Sequence, residues 1–220
     1  MAEIFWCARN LDTFLGFSGN HHFLVVKLGP GESLPPFTTQ TAGGTNFVTL
    51  AAFKVNGRLQ FGANQKADVT AVKEVLAPND FKGNWTDYDL EYHQVTRPKK
   101  YATDLAFAKA LVAMANNYAK NEAKKGNNVT YWLHDENCAA WVNTILKESG
   151  VGKSARETAG EFSGIDWGEE DPIPAKLFKL LGSGIVPTRR RPGGNSPPGP
   201  FGLTQASLSR RRLHQARSRS

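Results

Sequence analysis

With 220 residues, 40% of them hydrophobic, the chain can bury one substantial core, and no stretch approaches the roughly 18 consecutive apolar residues that a membrane span requires. Its formal net charge of +7 suggests nucleic acid, but eight arginines (Arg189, Arg190, Arg191, Arg210, Arg211, Arg212, Arg217 and Arg219) lie after residue 184, where there is no acid. Without them 19 of the 27 basic side chains face 20 acidic ones, so residues 1–184 are near neutral and offer no electrostatic case for nucleic-acid binding.

Residues 1–10 lack the basic start and long apolar centre of a signal peptide, which predicts a soluble chain made in the cytoplasm. Residues 21–28 (HHFLVVKL) form a β-branched apolar run stopped by Gly29-Pro30-Gly31, the pattern of a buried strand. Residues 31–45 are expected to be a loop. Two further strands, 47–55 and 58–61, flank Asn56-Gly57, the dipeptide of a tight hairpin. A short helix is expected over 68–76 with Asp68 as its N-cap, and 87–95 alternates as a strand does. In that region Trp85, Tyr88 and Tyr92 read as core aromatics.

The longest helix is expected over 103–125, where Phe107, Leu111, Met114 and Tyr118 share one face. A second helix starts near Glu136 to Cys138, buries Val142, Ile145 and Leu146, and ends at Gly150. A last helix is expected over 174–181, with Pro174 in its first turn and Gly182 beyond its end. Gly29 to Ser33 and Val151 to Ser154 lack the glycine spacing of a phosphate loop and read as turns. From Pro187 the chain is rich in Pro, Gly, Ser and Arg, which predicts a disordered tail over 185–220 behind one domain over 1–184. The fold class expected is α+β, an antiparallel sheet packed against helices.

Two cysteines, Cys7 and Cys138, are too few for a disulfide framework and read as free thiols. Cys138 stands where the polar stretch 134–137 becomes an apolar helix. The unpaired N–H groups and positive dipole end of a helix start stabilise a thiolate, and the same groups can hold an oxyanion. A thiolate nucleophile needs a base, and histidine suits that role near neutrality. Of five histidines, His214 falls in the tail, His134 in a turn and His93 in a strand that can face solvent. His21 and His22 open the first strand. Alternation puts His22 on a wholly apolar face and His21 on a face that ends polar, which favours His21 as base and His22 as its packed neighbour. For a third, orienting group Thr49, Gln60 and Asn64 are available, and Gln60 is taken among them. No CxxC or HxxxH pair suggests a metal, and no cofactor is expected.

The residues His21-His22-Phe23-Leu24-Val25 and Asn137-Cys138-Ala139-Ala140-Trp141-Val142 resemble the two motifs of circularly permuted papain-like hydrolases, the NlpC-like peptidases and lecithin:retinol acyltransferase-like enzymes. The resemblance spans residues 20–150 and accounts for histidine preceding cysteine. It implies a permuted papain-like fold with a nucleophilic Cys138 at a helix N-terminus. The activity implied is hydrolysis of an amide bond through a thioester, with the peptide stem of peptidoglycan as substrate. A small domain of this type is similar to amidase toxins exported by type VI secretion, which implies secretion machinery and a cognate immunity protein as partners and a target-cell periplasm as the place of action. Two other readings stay open: lipid acyl transfer or thioester hydrolysis by the same dyad, and a binding module with an inert cysteine.

Overall fold

The computed structural model describes residues 1–11, 20–78, 81, 85–86, 90–131, 137–162 and 173–180. The chain divides into a unit over Met1–Gly184 and a second over Ile185–Ser220. The second unit, the expected disordered tail, lies outside the described residues, as do His134, His214 and the side chains of Trp85 and Tyr88. No described helix is long and apolar enough to cross a membrane.

The architecture is α+β, an antiparallel sheet with helices packed on it. Its strands are β1 (Glu3–Asn10), β2 (Asn20–Leu28), β3 (Gln40–Ala42), β4 (Thr45–Val55), β5 (Arg58–Ala63), β6 (Trp85–Thr86) and β7 (Leu90–Gln94), ordered β3-β4-β2-β1-β7-β6 with β5 also on β4. The β4–β5 hairpin turns on Asn56 and Gly57, both at positive φ (50° and 77°), as a two-residue turn matched to strand twist requires. The region expected as a loop over 31–45 contains β3, because Gly43-Gly44 makes a second such hairpin (φ 56° and 79°) that pairs Ala42 with Thr45.

Strand β1 was not foreseen from the sequence. Its Ile4 to Ala8 are buried on both faces, so the run shows no alternation, and it lies between β2 and β7 at the middle of the sheet. One face carries Trp6, Leu24, Val26, Leu50 and Ala52 against the helices α2 (Asp104–Glu122) and α3 (Cys138–Glu148). The other carries Phe5, Cys7, Phe23, Val25 and Ala51 against α1 (Lys66–Ala71) and the π-helical turn Val72–Leu76 that continues it. Two separate cores therefore sandwich the sheet.

Helix α2 begins where Thr103 caps it, its hydroxyl accepting from Ala106 N at 3.1 Å. Phe107, Leu111 and Tyr118 are fully buried, and Met114 is half-buried at the core's edge. Helix α3 ends before Gly150, which takes φ 92° and donates to Lys147 O. Lys153, expected in a turn, instead starts α4 (Lys153–Ala159), and the last expected helix is a short 3₁₀ turn over Ala175–Phe178. Asn121 Nδ2 fastens that turn by donating to Leu177 O and Lys179 O. Tyr92 lies in the core, as read from the sequence.

Candidate active site

The site lies where the β2–β4 ladder opens. The two strands pair from Leu28↔Asn46 to Phe23↔Ala51, after which β4 continues with β5 alone. The next N–H of β2, that of His22, donates to the sulfur of Cys138 at 3.4 Å. Strand N–H groups point sideways along the sheet, so the sulfur occupies the lateral position that a β4 carbonyl fills further along. On the same strand Asn20 O lies 3.9 Å from it and can accept from the thiol.

Cys138 reaches this fork because it is the first residue of α3. Asn137 caps the helix in extended conformation (φ −128°, ψ −169°), its Oδ1 accepting from Ala140 N at 3.0 Å. An N-cap residue departs from helical geometry, so its successor sits at the open end of the helix, beside N–H groups that have no intrahelical acceptor. Ala139 and Ala140 are both buried, which lets this end of α3 sit close against the sheet.

His21 approaches from the opposite face of the sheet. It stacks on Phe23 with 5.9 Å between ring centroids, and its Nε2 lies 3.4 Å from Asp68 Oδ2. The His21 ring and the Cys138 side chain also act on each other electrostatically. Cys138, His21 and Asp68 thus come together from α3, β2 and α1: the sulfur lies against the backbone on either side of His21, and the His21 ring faces Asp68.

The electrostatics follow from this contact. Burial alone would raise the Cys138 thiol, but His21, and after it the charge and backbone N–H of His22, bring it down to about 7. Burial likewise opposes an imidazolium at position 21, yet the charge of Cys138 and the hydrogen bond to Asp68 outweigh it and lift His21 to about 9. Asp68 is held below its usual value: burial works against ionisation, but hydrogen bonds and charges from His21 and Arg9 prevail. Near neutrality the site therefore favours thiolate, imidazolium and carboxylate together. Tyr131 is pushed up to about 12, first by burial and then by the charge of Cys138, and so stays a phenol.

Adjacent His22 has a different task. It is 1% exposed, and its Nδ1 accepts the Trp6 indole N–H at 3.1 Å. The bond uses Nδ1 as an acceptor and fixes the orientation of the ring. Phe162 packs edge-on to the ring, with 5.2 Å between centroids. Of the residues singled out in the sequence, the structure brings together Cys138, His21 and the backbone of His22.

Gln60 does not join them. It is half-buried on β5 opposite Phe53 and makes no hydrogen bond to His21. Asn64 accepts from Thr49 N and donates to Thr38 O, bracing the end of β5, while Thr49 is sealed inside the sheet. The polar group on His21 is Asp68, which the sequence reading placed as an N-cap. The helix starts two residues earlier, at Lys66 after Gln65, which turns Asp68 inward from the first turn. The missed signal was periodicity. Asp68 shares the stripe of Val72, Val75 and Leu76, and an acid on an apolar stripe faces the core. His93, read as able to face solvent, is half-buried against Phe162 at 4.9 Å between centroids.

A hollow of about 750 Å³ opens at the far end of the sheet, around Glu3, Lys27, Gly29 and Gln94, and contains none of these residues. Comparison with protein-family models, with curated proteins and with solved structures finds no match to the chain.

Proposed function

We propose that this chain is a cysteine hydrolase that cleaves an amide bond through a thioester, with Cys138 as nucleophile, His21 as general acid and base, and Asp68 as positioning residue. The observation that carries the reading is the seating of the Cys138 sulfur, at the start of α3, against the backbone on either side of His21, whose ring faces Asp68 at 3.4 Å. Three groups from three separate elements meet there, and the thiol is lowered while the imidazole is raised. A packing cysteine in an apolar core would be raised by burial, as Cys7 is.

In the proposed reaction the Cys138 thiolate attacks the carbonyl carbon, and the first-turn N–H groups of α3 stabilise the oxyanion. As the tetrahedral intermediate collapses, the C–N bond breaks and the amine takes the proton of the His21 imidazolium. A thioester remains on Sγ. Neutral His21 then removes a proton from water, the resulting hydroxide attacks the thioester, and release of the carboxylic product returns the thiolate and the imidazolium.

The order histidine, aspartate, cysteine along the chain supports a permuted papain-like arrangement, in which a sheet precedes the helix that bears the nucleophile. On that likeness the substrate proposed is the peptide stem of peptidoglycan. The biological role is that of an antibacterial effector delivered by secretion machinery to a target cell's periplasm and held in check by an immunity protein. The test is turnover of purified muropeptides by the full chain. Cys138→Ser is expected to lower it by several orders of magnitude with an unchanged melting temperature, because a hydroxyl is far less acidic than a thiol. Wild-type turnover by that variant would refute the mechanism. Hydrolysis of acyl thioesters but not of muropeptides would move the substrate to the lipid branch.

A further inference from the structure

Asp68 has a second partner that the mechanism above does not use. Its Oδ2 faces His21 Nε2, while its Oδ1 accepts from Arg9 Nε at 2.8 Å. Arg9 stands on β1 directly opposite His21 in the β1–β2 register, so both side chains leave the sheet on the face that α1 covers. The carboxylate is fully buried and the guanidinium 22% exposed. A buried anion is costly unless it is compensated, and here two cationic groups divide one carboxylate between its oxygens.

That division bears on the reaction. An Asp68 that faced His21 alone would direct its whole charge to the imidazolium and raise the basicity of the whole ring, so that the proton it must transfer is held firmly. The proposed cycle requires the opposite at two points. His21 must give up a proton to the leaving amine, and it must then stay neutral long enough to deprotonate water. A base whose proton is held too tightly fails at both. We infer that Arg9 is a positioning residue for this reaction: by sharing Asp68 it fixes the carboxylate and limits how tightly that carboxylate holds the proton on His21.

The inference rests on the reading of Cys138 and His21 as the reacting pair. The charged and titratable groups that meet Asp68 are few. Cys138 reaches it only through His21. Cys7, two residues before Arg9 on the same face, has its thiol pushed up by burial and then by the charge of Asp68, and so stays neutral. Helix α1 adds no other acid in its first turn. Among the described residues Arg9 is therefore the group that balances Asp68 whenever His21 is uncharged.

The experiment is a titration of His21 in the full chain labelled with ¹⁵N at histidine and arginine. In the wild type its ring nitrogens should titrate with a midpoint of about 9. Arg9→Gln removes the competing cation, and the midpoint should rise by about one unit, leaving tenfold less free base at a given pH. Arg9→Lys keeps the charge and should stay within a few tenths of the wild type. If Arg9 only props up Asp68, the carboxylate swings away in Arg9→Gln and the midpoint falls, which overturns the inference, as does an unmoved midpoint. Should Arg9→Gln fail to fold, the wild type still decides: the Arg9 Nε resonance must shift with the His21 midpoint, and a flat trace overturns the inference. A wild-type His21 that titrates near 6.5 would refute the reacting pair itself, a different result from a wild-type midpoint of about 9 that ignores Arg9.

Discussion

His21→Ala is the substitution that separates a reacting thiol from a packed one. His21 is the first-ranked influence that lowers Cys138, through its charge, and burial is the larger opposing one. With the imidazole removed, burial dominates and the thiol should return from about 7 to its ordinary value of 9.0 or above. A shift of two units corresponds to about 3 kcal/mol of lost preference for the thiolate. The assay is the rate of alkylation by iodoacetamide against pH, with Cys138→Ser reporting any labelling of the buried Cys7. At pH 7 the thiolate fraction should fall from about one half to about one per cent, although the more basic thiolate is also about tenfold more nucleophilic, so the net rate drops only about fivefold. The midpoint is therefore the quantity to read. An unchanged midpoint, or a wild-type midpoint near 9, would refute the reasoning. Stability against pH would not reveal the pair. Cys138 has a lowered value, so its contribution exists above the unfolded value of 9.0 and fades as pH falls through about 7. His21 has a raised value, so its contribution is complete below 6.5 and fades as pH rises through about 9. Between about 7 and 9 the folded pair holds one proton, on His21, and the unfolded pair also holds one, on the cysteine. The proton counts cancel and the slope of stability with pH is near zero.

Two further substitutions test what holds the site. Asn137→Ala removes the cap on Ala140 N and should cost about 1 kcal/mol in denaturant unfolding, whereas Asn137→Gly should cost a few tenths; equal losses would mean that capping is not the cause. Trp6→Phe removes the indole N–H donor to His22 Nδ1 and should cost about 1–3 kcal/mol of stability, while the Cys138 alkylation midpoint moves less than in His21→Ala, because His21 lowers the thiol more than His22 does.

The parts of the fold written in local signals were legible. Asn56-Gly57 placed the β4–β5 hairpin, the 4, 3, 4 spacing from Phe107 to Tyr118 placed α2, and the change from a polar stretch to an apolar run placed the start of α3 near Glu136 to Cys138. Strand β1 was not, because a strand covered on both faces loses the alternation that identifies strands. The site divided in the same way. Cys138 and His21 follow from residue type and local position, but Asp68 does not, since an acid early in a helix complements the dipole whether it faces water or the core. Only a helix frame two residues earlier turns it toward His21, and that frame is set by the packing of Val69, Val72 and Leu76 on the sheet. Arg9 lay out of sight for a further reason: its neighbour in space stands 59 positions along the chain, and pairing between strands has no local signature.

His21 and His22 are chemically identical neighbours, and only the register of one strand makes them different. Opposite Ala8, His22 shares a face with Trp6, whose indole N–H donates to its Nδ1. Opposite Arg9, His21 shares a face with Asp68, whose carboxylate favours a charged one. A slip of one residue would exchange them and give the basic ring to the wrong face. The slip is opposed by side chains that take no part in the chemistry: Trp6 and Leu24 stand opposite each other in one core, and Cys7 and Phe23 in the other, so a shift would exchange groups of different size between two close-packed cores. Burial on both faces, which hid β1 from the sequence reading, is therefore also what fixes which histidine meets Asp68 and the sulfur. The identity of the base in the proposed mechanism is decided by the packing of β1 against β2 rather than by anything in the two histidines themselves.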